Sequence, residues 1–209
     1  MKKVLEAACF AAHKHTHHRR KNIEDIPYIN HPLEVAHLLS STEGIADEDI
    51  LCAGLLHDTV EDTGTRAKEI TSLFGEAVTA YVLEVSDNKN LPKAERKKLQ
   101  VLHAGSLSEG ATLIKLADRI SNLRSIAAEP PKGWTVQRQI DYFTWSMDVF
   151  NALRKTGRPL ENLFLKEYRE GLDKVLLRKE DEHTFHSWWS LVRKKFRARL
   201  LRLARFGPP

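Results

Sequence analysis

The sequence predicts an all-α protein. Apolar residues recur at helical spacing along most of the 209-residue chain, and the strict alternation that would indicate strands is nearly absent. Hydrophobic residues make up 42% of the chain and charged residues 29%, which is typical of a globular protein with one sizeable core or two small domains. We therefore expect a single compact helical bundle over residues 1–178 and a C-terminal appendage over residues 179–209.

Glycines and prolines divide the chain into ten predicted helices. Pro32 suits the first turn of its helix, where a missing N–H costs nothing, and Asp47 is a predicted N-cap. The predicted helices cover approximately residues 2–19, 32–41, 47–59, 66–74, 75–86, 93–104, 110–127, 135–155, 159–177 and 185–206.

Composition excludes several classes of protein. No apolar run approaches the length of about 18 residues that a membrane-spanning helix needs. Residues 1–12 superficially resemble a signal peptide, but Glu6 interrupts the apolar stretch and a basic, histidine-rich run follows it, so a cytosolic amphipathic helix is favoured. Cys9 and Cys52 lie among apolar neighbours and are predicted to be buried free thiols, in agreement with a cytoplasmic location.

The net charge of +5 comes from the C-terminal end of the chain. Residues 183–209 carry seven Lys or Arg and no Asp or Glu, which leaves residues 1–182 with a net charge of −2. The basic character is therefore no evidence that the body of the protein binds nucleic acid.

The most informative motif is HDTVED, residues 57–62. His57 and Glu61 are four residues apart, as are Asp58 and Asp62, so each pair shares one helix face. The preceding run, residues 50–56, is apolar, and ionisable groups at the end of a buried helix are costly to desolvate without a partner charge. A divalent cation is the simplest such partner, and a metal beside spare carboxylates indicates hydrolytic chemistry.

Two other residues stand out as candidates for the same site. His31 lies at a predicted loop-to-helix junction, and Asp118 follows a mostly apolar run, although a surface ion pair would also explain Asp118. The remaining histidines are interpreted as a solvated or substrate-facing cluster or as ordinary helix residues. They are His13, His15, His17 and His18 in the cluster, and His37, His103, His183 and His186 elsewhere.

Three motifs together resemble one branch of the HD-domain metal-dependent phosphohydrolases. Arg20-Lys21 is followed by PYINHP at residues 27–32, LLHDTVEDT occupies residues 55–63, and KLADR at residues 115–119 precedes NLR at 122–124. This combination resembles the hydrolase domain of the RelA/SpoT homologues, which removes the 3′-pyrophosphate from the alarmone ppGpp. The segment LPKAERK and the later aromatic residues are similar to those of stand-alone small alarmone hydrolases, including the metazoan ones.

The resemblance implies a metal site and a reaction. Its metal is typically Mn²⁺, and the matching ligands here are His31, His57, Asp58 and Asp118. Glu61 and Asp62 would position or deprotonate the attacking water and assist the leaving ribose oxygen, in an order that the sequence leaves open. The expected products are GDP from ppGpp, or GTP from pppGpp, together with pyrophosphate.

A substrate with four or five phosphates needs cations and a surface for its base. The matching residues are Arg20 and Lys21, with Asn122 one turn after Asp118 and Tyr142 as an aromatic near the substrate. A core position explains Tyr142 about equally well. Arg124, Arg138 and Trp134 are weaker candidates, and the run Lys89, Lys93, Arg96, Lys97 and Lys98 is interpreted as a solvated helix face.

Two other functions stay open at this stage. The same site would suit NADPH 2′-phosphatase activity or another nucleotide phosphohydrolase, because each substrate carries phosphate on a ribose secondary hydroxyl. A non-catalytic nucleotide-sensing module is the third possibility, and the loss of a ligand or of Glu61-Asp62 would favour it.

The C-terminal segment has its own pattern. Aromatic and aliphatic residues at helical spacing between Phe185 and Phe206 alternate with basic residues, which predicts an amphipathic helix with a cationic face. It would pack on its own or a neighbouring subunit, lie on an anionic membrane surface, or contact RNA or ribosome.

Overall fold

The computed structural model describes residues 1–22, 25–41, 46–155 and 157–179. Within these ranges the protein is all-α, as the sequence predicts, and its only β-type pairing is an isolated bridge between Arg19 and Pro27. The helices are Lys2–Lys14 (α1), Asn30–Ser41 (α2), Glu48–Leu56 (α3), Thr59–Asp62 (α4), Ala67–Phe74 (α5), Glu76–Val85 (α6), Lys93–His103 (α7), Glu109–Ala128 (α8) and Val136–Ala152 (α9). A 3₁₀ turn, Ala104–Ser106, follows α7, and residues 159–179 are also helical.

Side-chain caps begin three of these helices. Asp47 accepts a hydrogen bond from the Asp49 amide at 2.8 Å, which confirms the predicted cap of α3. Ser108 and Thr135 cap α8 and α9 in the same way. Pro32 lies in the first turn of α2, as expected.

The first helix is shorter than predicted. It ends at Lys14 rather than near residue 19, and the chain then turns so that His15 becomes buried, with 2% of its surface exposed. Its Nδ1 lies 3.0 Å from Nδ1 of His18, and its ring packs against Tyr28. The prediction of a uniformly solvated or substrate-facing histidine cluster is therefore wrong for His15.

The two cysteines differ in burial. Both are free thiols, but Cys9 is exposed while Cys52 is buried, so the prediction holds for Cys52 alone. On α1 the buried residues are Ala7 and Ala11, one turn apart, and Cys9 lies between them on the opposite face.

A break between α3 and α4 shapes the site. The sequence predicts one helix through residue 59, but α3 ends at Leu56. His57 Nδ1 lies 2.8 Å from the Gly54 carbonyl, and the Thr59 hydroxyl donates to the Leu56 carbonyl at 2.6 Å. These side chains take carbonyls that backbone N–H groups would otherwise use, which ends the helix and lets the chain bend.

The core forms around α3 and α8. Helix α3 packs against α1, α2, α6 and α8, and its last five residues are buried. Gly54 permits the close approach of α2, because a Cβ there would lie 2.6 Å from Leu39 Cδ1. Helix α8 is buried along most of its length, and each fully buried Leu or Ile contributes about 1.5–3 kcal/mol to stability. The HDTVED motif thus begins directly after one well-buried helix, and the KLADR motif lies within the other.

Within the described part of the chain, no helix is long and apolar enough to cross a membrane. The predicted helix at 185–206, and with it nearly all of the predicted C-terminal unit, lies outside the described residues.

Candidate metal and phosphate site

The break after α3 gives His57 a defined orientation. Its Nδ1 faces the Gly54 carbonyl, which can only accept a hydrogen bond, so the proton of a neutral ring resides on Nδ1. Its Nε2 is buried and makes no hydrogen bond within the described residues. A buried nitrogen with a lone pair and no hydrogen-bond donor is destabilising, so a cation bound to it would stabilise the protein.

His31, in the first turn of α2, is oriented by side chains. Its Nδ1 lies 2.9 Å from the hydroxyl oxygen of Ser121, and that hydroxyl donates its own proton to Glu34 at 2.6 Å. Ser121 therefore accepts from His31, so Nδ1 of His31 also carries the ring proton and Nε2 is left with a lone pair.

The two Nε2 atoms face two aspartates. Nε2 of His57 lies 3.0 Å from Oδ2 of Asp58, and Nε2 of His31 lies 3.3 Å from Oδ1 of Asp118. The ligand atoms of His31, His57 and Asp118 all lie within 4.8 Å of one another, and Asp58 Oδ2 is 3.7 Å from His31 Nε2. Metal bonds of about 2.0–2.2 Å bring neighbouring ligand atoms to similar separations, so the donor set fits a divalent transition metal.

The electrostatics of this cluster favour a cation. Burial alone would raise the pKa of Asp58 and of Asp118, but the two imidazoles, joined at Asp118 by the Arg119 guanidinium, outweigh it and hold the pKa of both aspartates below the usual range. Burial lowers the pKa of His57, yet Asp58 and Asp118 together raise it to about 9. Positive charge is stabilised at this point whether a proton or a metal ion supplies it.

Tyr28 supports the cluster from a position that the sequence analysis did not assign. Its hydroxyl donates to Oδ2 of Asp58, and burial together with this carboxylate raises the pKa of Tyr28. The phenol stays protonated and keeps Asp58 in place. The only sequence signal was its position in the PYINHP motif.

Glu61 and Asp62 lie beside the cluster and line the same cavity. Glu61 accepts a hydrogen bond from the Asp87 amide at 2.9 Å, and Lys89 lies 3.0 Å from Glu61 and 2.6 Å from Asp62. Burial raises the pKa of Glu61. A carboxylate with a raised pKa is a better proton acceptor than an exposed one.

The cavity has a volume of about 290 Å³ and extends from the cluster to a wall built by α7, α8 and α9. We call its basic side chains the cationic wall, which consists of Lys93, Arg96, Lys97, Lys115 and Arg119. Trp134, Tyr142 and Trp145 line the same side. The interpretation of this run as a solvated helix face is therefore wrong for Arg96 and Lys97, which are partly buried in the cavity lining. Lys98 is exposed and outside the lining, as expected, and Lys93 is exposed but still borders the cavity.

Lys115 and Arg119 escaped the sequence analysis as site residues. Both are buried, one turn apart on α8. Lys115 donates to the Val85 carbonyl at 3.0 Å, and burial lowers its pKa. Arg119 lies 4.1 Å from the Trp145 ring centre and donates to the Tyr142 hydroxyl at 3.1 Å. Charged residues on a helix are usually exposed, so the sequence alone favoured the surface for both.

The predicted substrate residues lie around one mouth of the cavity. Arg20 donates to Asn122 at 3.3 Å, and Asn122 donates to Asp118 at 2.5 Å. Lys21 and Tyr142 line both the main cavity and an adjoining one of about 260 Å³, to which Arg20 and Asn122 also contribute. Tyr142 thus lines the cavity and also packs against the edge of the core, so both interpretations of this residue hold.

The weaker candidates divide. The exposed Arg138 guanidinium lies 4.5 Å from the ring centre of Trp134, which lines the cavity, but Arg138 itself is absent from that lining. Arg124 points the other way, towards Glu34 at 3.3 Å and Glu167 at 2.8 Å, and is absent from the main cavity lining.

Comparison with known proteins agrees with this geometry. A family model described as HD domain matches residues 7–156. The protein from Xenopus tropicalis named guanosine-3′,5′-bis(diphosphate) 3′-pyrophosphohydrolase MESH1 is 52% identical over 158 residues, covering 76% of this chain and 88% of that protein. The Homo sapiens protein of the same name is 51% identical with the same coverage.

Solved structures lead to the same group. One described as a metazoan ortholog of SpoT that hydrolyzes ppGpp superimposes with a TM-score of 0.79 at 43% identity, covering 82% of this chain and 97% of that chain. The resemblance drawn from the three sequence motifs is confirmed. The chain belongs to the HD-domain family, in the branch of the MESH1 proteins.

Proposed function

We propose that this protein is a Mn²⁺-dependent guanosine-3′,5′-bis(diphosphate) 3′-pyrophosphohydrolase. It converts ppGpp to GDP and pyrophosphate, and pppGpp to GTP and pyrophosphate. The observation that carries the proposal is a buried cluster in which the Nε2 atoms of two histidines face the carboxylates of two aspartates. Glu61 and Asp62 line the cavity beside this cluster. Relatives that share about half of its sequence bear this activity in their names.

In this proposal His31, His57, Asp58 and Asp118 hold the metal. Mixed imidazole and carboxylate ligation suits Mn²⁺, Fe²⁺ or Zn²⁺ better than it suits Ca²⁺. The bound ion would acidify a water and neutralise phosphate charge. Tyr28 keeps Asp58 in position through its hydroxyl, and Asn122 does the same for Asp118.

Glu61 and Asp62 handle the protons. The oxygen of the attacking water forms a bond to the phosphorus attached to the ribose 3′ oxygen, and the bond from that phosphorus to the ribose oxygen breaks. One of the two carboxylates accepts a proton from the water, and the pair passes a proton on to the ribose oxygen as it leaves. The raised pKa of Glu61 supports it as the acceptor, while Lys89 pairs with both carboxylates.

The remaining residues bind the nucleotide. Lys21 and the cationic wall supply positive charge along the cavity, which suits a substrate with four or five phosphates. Arg20, Asn122 and Tyr142 line the adjoining space, where a planar guanidinium and a phenol ring would contact base and ribose.

NADPH is a second candidate substrate, which would be cleaved at its 2′-phosphate. Trp134 and Tyr142, with ring centres 5.8 Å apart, offer an aromatic surface that would stack an adenine as readily as a guanine. A purely nucleotide-sensing role is disfavoured, because all four ligand candidates and both carboxylates are present.

The test is hydrolysis by the purified protein with Mn²⁺, using ppGpp, NADPH and common nucleotides as parallel substrates, with Asp58→Ala as the control. We expect pyrophosphate release from ppGpp in the wild type and none above background in Asp58→Ala. Activity that survives in Asp58→Ala, or an inactive wild type with its metal restored, would overturn the proposal. Elemental analysis of the purified protein identifies the metal independently.

We also propose a cytoplasmic location and a packing role for the C-terminal segment at 185–206. Two free cysteines fit a reducing compartment, and the many aromatic residues of that segment favour burial against this chain or a second subunit. Truncation at residue 182 should then lower the melting temperature without changing localisation. If the full-length protein instead binds membranes or RNA in a salt-sensitive way and truncation removes that binding, the segment is a membrane-binding or an RNA-binding helix.

A further inference from the structure

The hydrogen bonds of Ser121 are unusual for a serine inside a helix. Ser121 lies in α8 and is fully buried. Serine and threonine hydroxyls in helices commonly bond to a carbonyl of their own preceding turn, as Thr71, Thr144 and Ser146 do here. The Ser121 hydroxyl instead donates across to Glu34 on α2 at 2.6 Å, and accepts from Nδ1 of His31 at 2.9 Å.

Glu34 is itself held in place. Its other carboxylate oxygen lies 3.3 Å from Arg124, whose second guanidinium nitrogen lies 2.8 Å from Glu167 in the 159–179 helix. Glu34 and Arg124 are each about one-third exposed and line a surface pocket that His31 also borders. A continuous chain of contacts therefore leads from Arg124, through Glu34 and Ser121, to Nδ1 of His31.

We infer that Glu34 and Ser121 form a relay that fixes the tautomer of His31 and thereby sets the affinity of the site for its divalent metal. The inference rests on the metal site of the proposed function. The carboxylate orients the only proton of the hydroxyl, the hydroxyl accepts the Nδ1 proton, and Nε2 of His31 is left as a lone-pair donor aimed at Asp118. Glu34 and Ser121 are positioning residues that touch neither substrate nor metal.

His57 shows why this relay is specific to one ligand. Its Nδ1 is fixed by the backbone carbonyl of Gly54, which no side-chain substitution removes. Among the residues that the structure describes, Ser121 alone bonds to Nδ1 of His31. Outer partners of metal-bound histidines typically change metal affinity by about 10–100-fold when they are lost. The relay should therefore appear as a metal-affinity effect carried by two residues outside the cavity.

The experiment titrates Mn²⁺ into chelator-treated protein by isothermal titration calorimetry, without any nucleotide. We expect Ser121→Ala and Glu34→Ala each to weaken Mn²⁺ binding by about 10–100-fold. Glu34→Gln should weaken it less, because its amide oxygen still accepts from Ser121. Ser146→Ala is the matched control, since it removes a fully buried serine hydroxyl in α9 that bonds only to its own helix. It should bind Mn²⁺ like the wild type.

The outcomes separate this inference from the proposed function. If Ser121→Ala and Glu34→Ala bind Mn²⁺ within threefold of Ser146→Ala, the relay is wrong while the metal site stands. If the wild type binds no divalent metal, both fall. Melting temperatures of the metal-free variants show whether Ser121→Ala is folded. Should it fail to fold, the partly exposed Glu34→Ala decides the question alone.

Discussion

The segment 57–62 and the cationic wall line the same cavity but are built in opposite ways. The segment is continuous in sequence, and its geometry comes from local bonds such as that of His57 to Gly54. The wall collects five basic side chains from α7 and α8, which meet only because the bundle packs those helices beside α9. The orientation of one segment of the proposed site is thus set locally, whereas the cationic surface beside it depends on the whole fold.

The largest effect should come from removing a ligand of the metal. Asp118→Asn keeps the size of the side chain but loses its charge, so the metal affinity falls and activity should drop by about 10⁴-fold, because the site loses the ion that would lower the pKa of the attacking water. Metal content and ppGpp hydrolysis should fall together. Asp141→Asn is the control, because Asp141 is an exposed residue of α9 outside the cavity. Full metal content in Asp118→Asn would contradict its assignment as a ligand.

The next effect concerns the carboxylates of the segment. Glu61→Gln should lower kcat by about 10³-fold, within the range typical of a lost general base, while the metal content stays at the wild-type level. Glu84→Gln, a substitution in α6 that affects a contact to Ser108, should leave kcat unchanged. A normal kcat in the Glu61→Gln protein would show that Asp62, and not Glu61, accepts the proton.

The third prediction is a pH dependence of stability. His57 has a pKa of about 9 in the folded protein, above its ordinary value of 6.5. The stability that it contributes is therefore complete below pH 6.5 and is lost as pH rises to about 9. In chelator-treated protein the free energy of unfolding should fall across this window by about 3 kcal/mol, as followed by urea denaturation. Saturating Mn²⁺ should abolish the fall, because a metal bound at Nε2 replaces the proton whose loss causes it. A fall of equal size with Mn²⁺ would show that His57 does not bind it.

The smallest effect should come from a single cation of the wall. Lys97→Met should raise KM for ppGpp about 10-fold with little change in kcat, because one charge-assisted phosphate contact is worth about 1.5–3 kcal/mol. The neighbouring Lys98 is exposed and outside the cavity, so Lys98→Met is a matched control. Equal KM values for the two variants would show that Lys97 does not contact the substrate.

Most of the fold follows from the pattern of the sequence. Apolar periodicity and breakers predict the described helices closely, and Asp47 caps α3 as expected. The errors lie where side chains compete with the backbone or where a helix could have continued. The helix through residue 59 is broken by the bonds of His57 and Thr59, and α1 ends at Lys14. Helical periodicity carries no information about such endings.

The site divides along the same line. The motifs predicted His31, His57, Asp58 and Asp118 as one set, and the structure brings all four together. Tyr28, Lys115 and Arg119 were missed as site residues, because a polar side chain that is buried by a neighbouring helix looks the same in sequence as one exposed to water.

The sequence by itself determined that the chain is helical and belongs to a metal-dependent hydrolase family, because these depend on residue spacing and on contiguous motifs. Only the tertiary structure decided which charged side chains face the cavity and which ring nitrogen carries the proton in His31 and His57. Those properties arise from contacts between residues far apart in the chain, such as Ser121 and Glu34, whose 2.6 Å bond joins α8 to α2. Packing sets such contacts, and no local pattern records them.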